Sequence, residues 1–137
     1  MRKFYIFNIN DEFTILNSDN GFDLYKQMES IHNLDKDNFY NAIKLYETIA
    51  HTIDKNDLNK EIYKKYKDNY FYTKYKNTHM INNYYRKEES KLTINKAYLI
   101  LESNVIKPTF LKDLKNKCLF ACDFDNKDYF WLDKLAN

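Results

Sequence analysis

The chain is poor in residues that mark special backbone or special chemistry: one Gly, one Pro, one Trp, two Cys and two Arg among 22 basic residues. A single glycine, Gly21, excludes a glycine-rich loop of the kind that cradles phosphates. Cys118 and Cys122 fall on one expected strand, where residues four apart are separated by roughly 13 Å, too far for a disulfide or a shared metal. Both read as small buried hydrophobes. His32, His51 and His79 have no metal-ligand spacing and read as ordinary surface or structural residues. No segment approaches the roughly 18 apolar residues of a membrane span. The apolar run after Lys3 stops at Asn8 and meets Asp11 and Glu12, which is not the pattern of a signal peptide, so a cytoplasmic protein is expected. The net charge of +2 is too small to imply a polyanionic partner.

The chain is rich in aromatic residues, with 13 Tyr and 10 Phe in 137 residues, and 44% of it is hydrophobic. Tyr and Phe must therefore supply much of the core. The length suits one domain, residues 1–137, able to fold unaided. Eighteen Asn accompany the abundant Lys, Tyr, Phe and Ile, a pattern that AT-rich coding produces. With glycine so scarce, Asn is expected to take the left-handed turn positions. Charge is uneven along the chain. Residues 10–40 carry seven acids against two bases, net −5, and residues 55–87 carry nine bases against three acids, net +6. An acidic and a basic edge are expected.

Lys3 to Ile9 alternates as a strand, with Tyr5, Phe7 and Ile9 on one face and Phe4 and Ile6 on the other, as a central strand would. Asn10 to Phe13 reads as a turn away from it. Asp19-Asn20-Gly21 then caps a helix carrying Phe22, Leu24, Tyr25, Met28 and Ile31. Asp35 or Asp37 caps a second, with its stripe at Phe39, Ile43, Tyr46, Ile49, Ala50 and Ile53. Asp54 or Asn56 opens a third, with Leu58, Ile62 and Tyr66 inward and Lys60, Lys64 and Lys67 outward. Residues 70–85 fit a pair of strands. Leu92 to Ile94 and Ala97 to Leu101 form a hairpin-like unit around Asn95-Lys96. Pro108 suits the first turn of a helix bearing Phe110, Leu111 and Leu114, with Lys115 and Lys117 at its C-terminus. Cys118-Leu-Phe-Ala-Cys-Asp-Phe-Asp-Asn-Lys-Asp-Tyr-Phe-Trp-Leu132 is a β-hairpin turning at Asp125-Asn126. Trp131 is expected in the core beside Tyr129. The sum is an α+β domain: a mostly antiparallel sheet with three to four helices packed against it.

These residues suggest no catalytic centre. Asp123, Asp125 and Asp128 are explained by turn chemistry. A non-enzymatic protein with no cofactor or metal is expected. The basic, Tyr-rich segment 60–87 supports an alternative, a module that binds single-stranded nucleic acid through Lys and stacked Tyr. Abundant Lys and Tyr, however, are what codon bias also produces. Phe13, just past two carboxylates, is either a core residue or an exposed anchor.

Residues 110–132 resemble the C-terminal helix and hairpin of the sporulation inhibitor of replication family, whose members end in a similar Leu-Ala-Leu-Asp-Phe, turn, Tyr, Trp-Leu run. Phe4-Tyr-Ile-Phe-Asn-Ile-Asn-Asp-Glu-Phe13 resembles that family's opening strand, two acids and Phe. The resemblance implies a protein that docks onto the N-terminal domain of the replication initiator DnaA and blocks initiation on entry into sporulation. It further implies that Phe13 contacts the initiator, beside Asp11 and Glu12. Two expected partner positions depart from the family pattern: Asn17 stands where a Tyr is usual, and Lys134 stands where a Pro is usual. An inhibitor of another host protein, carried on a mobile element, fits the same residues.

Overall fold

The computed structural model describes residues 1–16, 21–34, 38–115 and 119–134. Its frame is one open sheet of eight strands, β1 (Arg2–Ile9), β2 (Ala50–His51), β3 (Tyr72–Tyr75), β4 (Thr78–Asn83), β5 (Glu88–Ile94), β6 (Leu99–Ser103), β7 (Leu119–Asp123) and β8 (Asp128–Trp131). The order is β3-β4-β5-β6-β1-β7-β8, every pairing is antiparallel, and β2 continues the β6 side of β1 through Asn8↔His51 and Ile9↔Ala50. Among the described residues five α-helices accompany the sheet: α1 (Asp11–Leu16), α2 (Phe22–His32), α3 (Phe39–Ile49), α4 (Lys55–Tyr66) and α5 (Leu111–Leu114). The fold is α+β, as expected.

Because successive strand residues face opposite ways, β1 serves two cores. Ile6 joins Leu92, Leu99, Leu101, Phe110, Leu114 and Leu119 on the face covered by α4 and α5. Phe7 and Ile9 join Leu24, Tyr25, Met28, Tyr46, Phe120 and Trp131 on the face covered by α2 and α3. The aromatic content of the sequence is spent here. Tyr25 stacks on Tyr129 at 4.9 Å, and Phe120 meets Trp131 at 4.9 Å.

Several local expectations give way to tertiary contacts. Asn10 to Phe13 is not a plain turn: the chain enters α1, with the Asn10 carbonyl accepting from Thr14 N–H at 2.9 Å. The second helix stops at Ile49, since Ala50 is extended (φ −122, ψ 147) and pairs with Ile9, while Asn10 N–H donates to the Ile49 carbonyl. Ala50 and Ile53 thus leave the helical stripe. Pro108 precedes the last helix instead of opening it. It begins a turn closed by Leu111 N–H at 3.0 Å, and the Thr109 N–H within that turn donates to the buried carboxylate of Glu88 at 2.8 Å. The Asp54 cap is observed, accepting from Asp57 N–H. The suggested caps Asp19, Asn20, Asp35 and Asp37, together with Lys117 and Cys118, lie outside the described residues.

The turns correct one expectation uniformly. Among the described non-glycine residues, positive φ belongs to Lys76, Lys87 and Lys127, not to Asn, and the terminal hairpin turns left-handed at Lys127 instead of Asp125-Asn126. Asn and Asp act one step earlier. Asn83 Oδ1 accepts from the N–H groups of Tyr85 and Arg86, and Asp123 Oδ1 accepts from Asn126 N–H, before loops that end at Lys87 and Lys127. A side-chain acceptor serves the loop amides only from the position before the turn, which fixes where Asx residues are useful.

Candidate partner-binding surface

α1 owes its position to Asn10. The Asn10 backbone N–H bonds the Ile49 carbonyl at 2.9 Å, and its side-chain Nδ2 bonds the Thr48 carbonyl at 3.1 Å. Both partners are at the C-terminal end of α3, so the six-residue helix is bolted to the mouth between β1 and β2. Asp11 and Glu12 occupy its first turn, where carboxylates complement the unpaired N–H groups and the helix dipole.

The sequence left Phe13 open between two roles, and the structure places it between them. Phe13 is half-buried, packing against the core of Phe7, Phe120 and Trp131, while Asp11 and Glu12 are exposed. The most exposed apolar side chains of this helix are its neighbours Ile15 and Leu16, each 74% exposed. Sequence reasoning missed both. The available signal was Asn10 followed by two acids and four further residues able to close a helical turn. Such a turn carries Ile15 to the side opposite Phe13, whereas Leu16, three residues on from Phe13, shares its side by spacing and is exposed only because the fold leaves the end of the helix uncovered.

Register decides which other site residues come together. β8 runs parallel to β1, two strands away, since both pair antiparallel with β7. The single 3-10 turn Leu132–Lys134 that follows β8 therefore lies at the same end of the sheet as α1, with axes about 10 Å apart at the strands. Lys134 is exposed there. Asn17 lies outside the described residues.

Of the seven acids in residues 10–40, Asp11, Glu12, Asp23 and Glu29 are among the described residues, and they are set apart from the basic segment by the sheet itself. The acidic α1 and α2 lie on one face of the sheet, the basic α4 packs on the opposite face, and the β3-β4 hairpin with Lys74 and Lys76 lies at the far edge from β8. Segment 60–87 does not form one surface, however. Tyr66 is buried and donates to Asp113, and Tyr72 donates to His79 across the β3-β4 pair. Tyr63 and Tyr75 stay outside beside Lys74 and Lys76, and a separate cluster forms where Phe71 touches Tyr70, Tyr84 and Tyr85.

His79 is wholly buried, its Nδ1 2.7 Å from Tyr72 Oη and its Nε2 2.7 Å from Asn59 Oδ1. Asn59 Oδ1 can only accept, so Nε2 carries the proton and Nδ1 accepts from the tyrosine. Desolvation, aided by Lys74, pushes the imidazole pKa down to about 4. Asp123, also wholly buried, is bonded by Arg2 and Asn126. Each of these groups is saturated by neighbours that close a hairpin or bridge a helix to the sheet. Among the described residues no three His, Cys, Asp or Glu side chains converge, and no helix is long and apolar enough to cross a membrane. His32 stacks on Phe124 at 4.2 Å, His51 is exposed on β2, and Cys122 is a buried hydrophobe with its thiol pKa pushed up by burial.

A family model described as sporulation inhibitor of replication protein SirA matches residues 2–136, nearly the whole chain. The chain belongs to the SirA family. The two stretches that carry the resemblance in sequence form adjoining strands, the interior strand β1 and the β7-β8 hairpin that ends the sheet, and the intervening residues belong to the same match. No curated protein matches the chain. Membership makes this SirA-family protein a regulator of replication in sporulation, of a kind that acts by inhibition.

Proposed function

We propose that this protein inhibits the initiation of DNA replication by binding the N-terminal domain of the initiator DnaA as cells enter sporulation, without catalysing a reaction. What carries the reading, beside family membership, is the exposed apolar end of α1: Ile15 and Leu16 project beside a half-buried Phe13, next to two exposed carboxylates. A small apolar anchor desolvated in a partner pocket supplies affinity, and the charged rim supplies register and association rate. Phe13, Asp11 and Glu12 form the contact, and Lys134 borders it from the end of β8.

The test is calorimetric titration of the purified protein with the DnaA N-terminal domain from the same cell. Saturable one-to-one binding is expected. Phe13→Ala should weaken it at least tenfold, about 1.4 kcal/mol, while circular dichroism stays that of the parent. No binding by the parent protein, or full-strength binding by a folded Phe13→Ala, overturns the reading.

A second reading rests on the Tyr70, Phe71, Tyr84 and Tyr85 cluster, in which Tyr70 and Tyr85 are 84% and 80% exposed beside Arg86 and Lys87. Rings of this kind stack on unpaired bases. Salt distinguishes the two readings: affinity for an oligonucleotide falls steeply with ionic strength as counterions return, and affinity for a protein pocket does so weakly.

A further inference from the structure

On the face opposite α1 and α2 the sheet is not fully covered. Between α5 with its preceding loop and the strands β1, β7 and β8 runs a groove of about 450 Å³. Its floor is Phe4, Ile6, Leu101, Ala121, Phe130 and Leu132, and its wall is Ile106, Pro108 and Leu111. The wall is held open from behind. Glu88 fixes Thr109 through the backbone N–H at 2.8 Å and the hydroxyl at 2.7 Å, while Asp113 on the far side of α5 accepts from Tyr66 and Lys65. Phe110 and Leu114 turn inward to the core, leaving Leu111, Lys112 and Lys115 to face the groove. At its lip Ile106 is 95% exposed, the largest exposure of any described hydrophobic side chain.

We infer that this groove is a binding site for a single-chain fatty acid, its acyl chain on the apolar floor and its carboxylate at Lys107 and Lys112. Two observations select that chemistry. Among the described residues, every charged side chain lining the groove is a cation, Arg2, Lys107, Lys112 and Lys115, and Arg2 is already held by Asp123 and Asp128. The described lining also contains no side chain that accepts a hydrogen bond. An extended peptide laid there would leave N–H groups facing apolar side chains, at the cost of desolvated donors, whereas an acyl chain has none to satisfy. The volume lies in the ordinary range for small-molecule sites. The site is separate from α1 and independent of the DnaA reading, since it is on the other face of the sheet.

The experiment titrates the full chain with cis-parinaric acid, a fluorescent fatty acid, below its micellar concentration, and then displaces it with palmitate or hexadecanol. Saturable one-to-one binding is expected, with the alcohol at least about tenfold weaker than the acid because it lacks the charge. The double variant Lys107→Glu, Lys112→Glu and the single variant Ile106→Asp should each weaken binding by about tenfold or more with the thermal melt unchanged. Flotation with phosphatidylglycerol vesicles is run beside it. Absence of saturable binding, equal affinity for acid and alcohol, indifference to both surface variants, or binding to vesicles but not to the monomeric acid overturns the inference.

Discussion

Arg2 donates from Nε to Oδ2 of Asp123 at 2.9 Å, and from Nη2 to Asp128 at 2.9 Å, so the start of the chain clasps both strands of the terminal hairpin. Burial by itself would raise the Asp123 carboxyl, but bonds from Asn126 and Arg2 outweigh it and hold the group below its ordinary value. The folded pKa is therefore below the unfolded one. Its stabilisation is present above about pH 4 and is lost as pH falls further. Arg2→Ala is expected to cost about 1–2 kcal/mol at neutral pH, by leaving a buried carboxylate short of a donor. Urea midpoints at pH 7 and pH 3 check this, since the difference between parent and variant should shrink at pH 3.

The only glycine is irreplaceable for two separate reasons. Gly21, the N-cap of α2, has φ +81, and a Cβ there would stand 2.7 Å from Phe120 Cε1. Phe120 is wholly buried between Trp131 and Tyr129 and has no room to withdraw. Gly21→Ala should lose about 2–4 kcal/mol, combining left-handed strain with overpacking. Thermal melts of the parent and variant measure it, and a loss under about 1 kcal/mol would contradict the packing described.

His79 makes the protein acid-sensitive above the range where carboxylates titrate. With its folded pKa at about 4 and an unfolded value near 6.5, the unfolded chain binds the proton more readily. Stability is therefore full above about pH 6.5 and declines as pH falls towards 4, by up to about 3 kcal/mol. His32, lowered chiefly by desolvation, adds in the same direction. His79→Gln should be less stable at pH 7 yet show a flatter decline between pH 6.5 and 5. Denaturation midpoints across that interval decide it, and an undiminished slope would refute the assignment.

Ile15 and Leu16 offer a cleaner test of the partner surface than Phe13, because they contribute little to the core. Ile15→Asp and Leu16→Asp are expected to leave the melting temperature within a few degrees and to weaken initiator binding by at least about tenfold. Glu12→Lys should chiefly slow association at low salt. Surface plasmon resonance separates these effects, and unchanged rates in all three variants would place the contact elsewhere.

Periodicity made the larger elements legible. Phe4 to Ile9 alternates because both faces of a central strand are buried, and Leu58, Ile62 and Tyr66 repeat at the helical period because one face of α4 packs. The terminal hairpin was legible for the same reason. Local signals failed where a distant group competed for a backbone bond. Ala50 has a helical neighbourhood, yet Ile9 takes it into the sheet and Asn10 N–H takes the Ile49 carbonyl.

By itself the sequence determined the α+β class, the aromatic core and the segregation of charge, since these follow from composition and from residue spacing within a few turns of chain. Tertiary structure alone decided which strands neighbour one another and thus brought α1 and Lys134 to one end of the sheet. It also left Ile15 and Leu16 outside and opened the groove beside α5. Exposure and concavity depend on what the rest of the chain covers, and that is set by pairings between residues as far apart as Arg2 and Asp123, which no local pattern encodes.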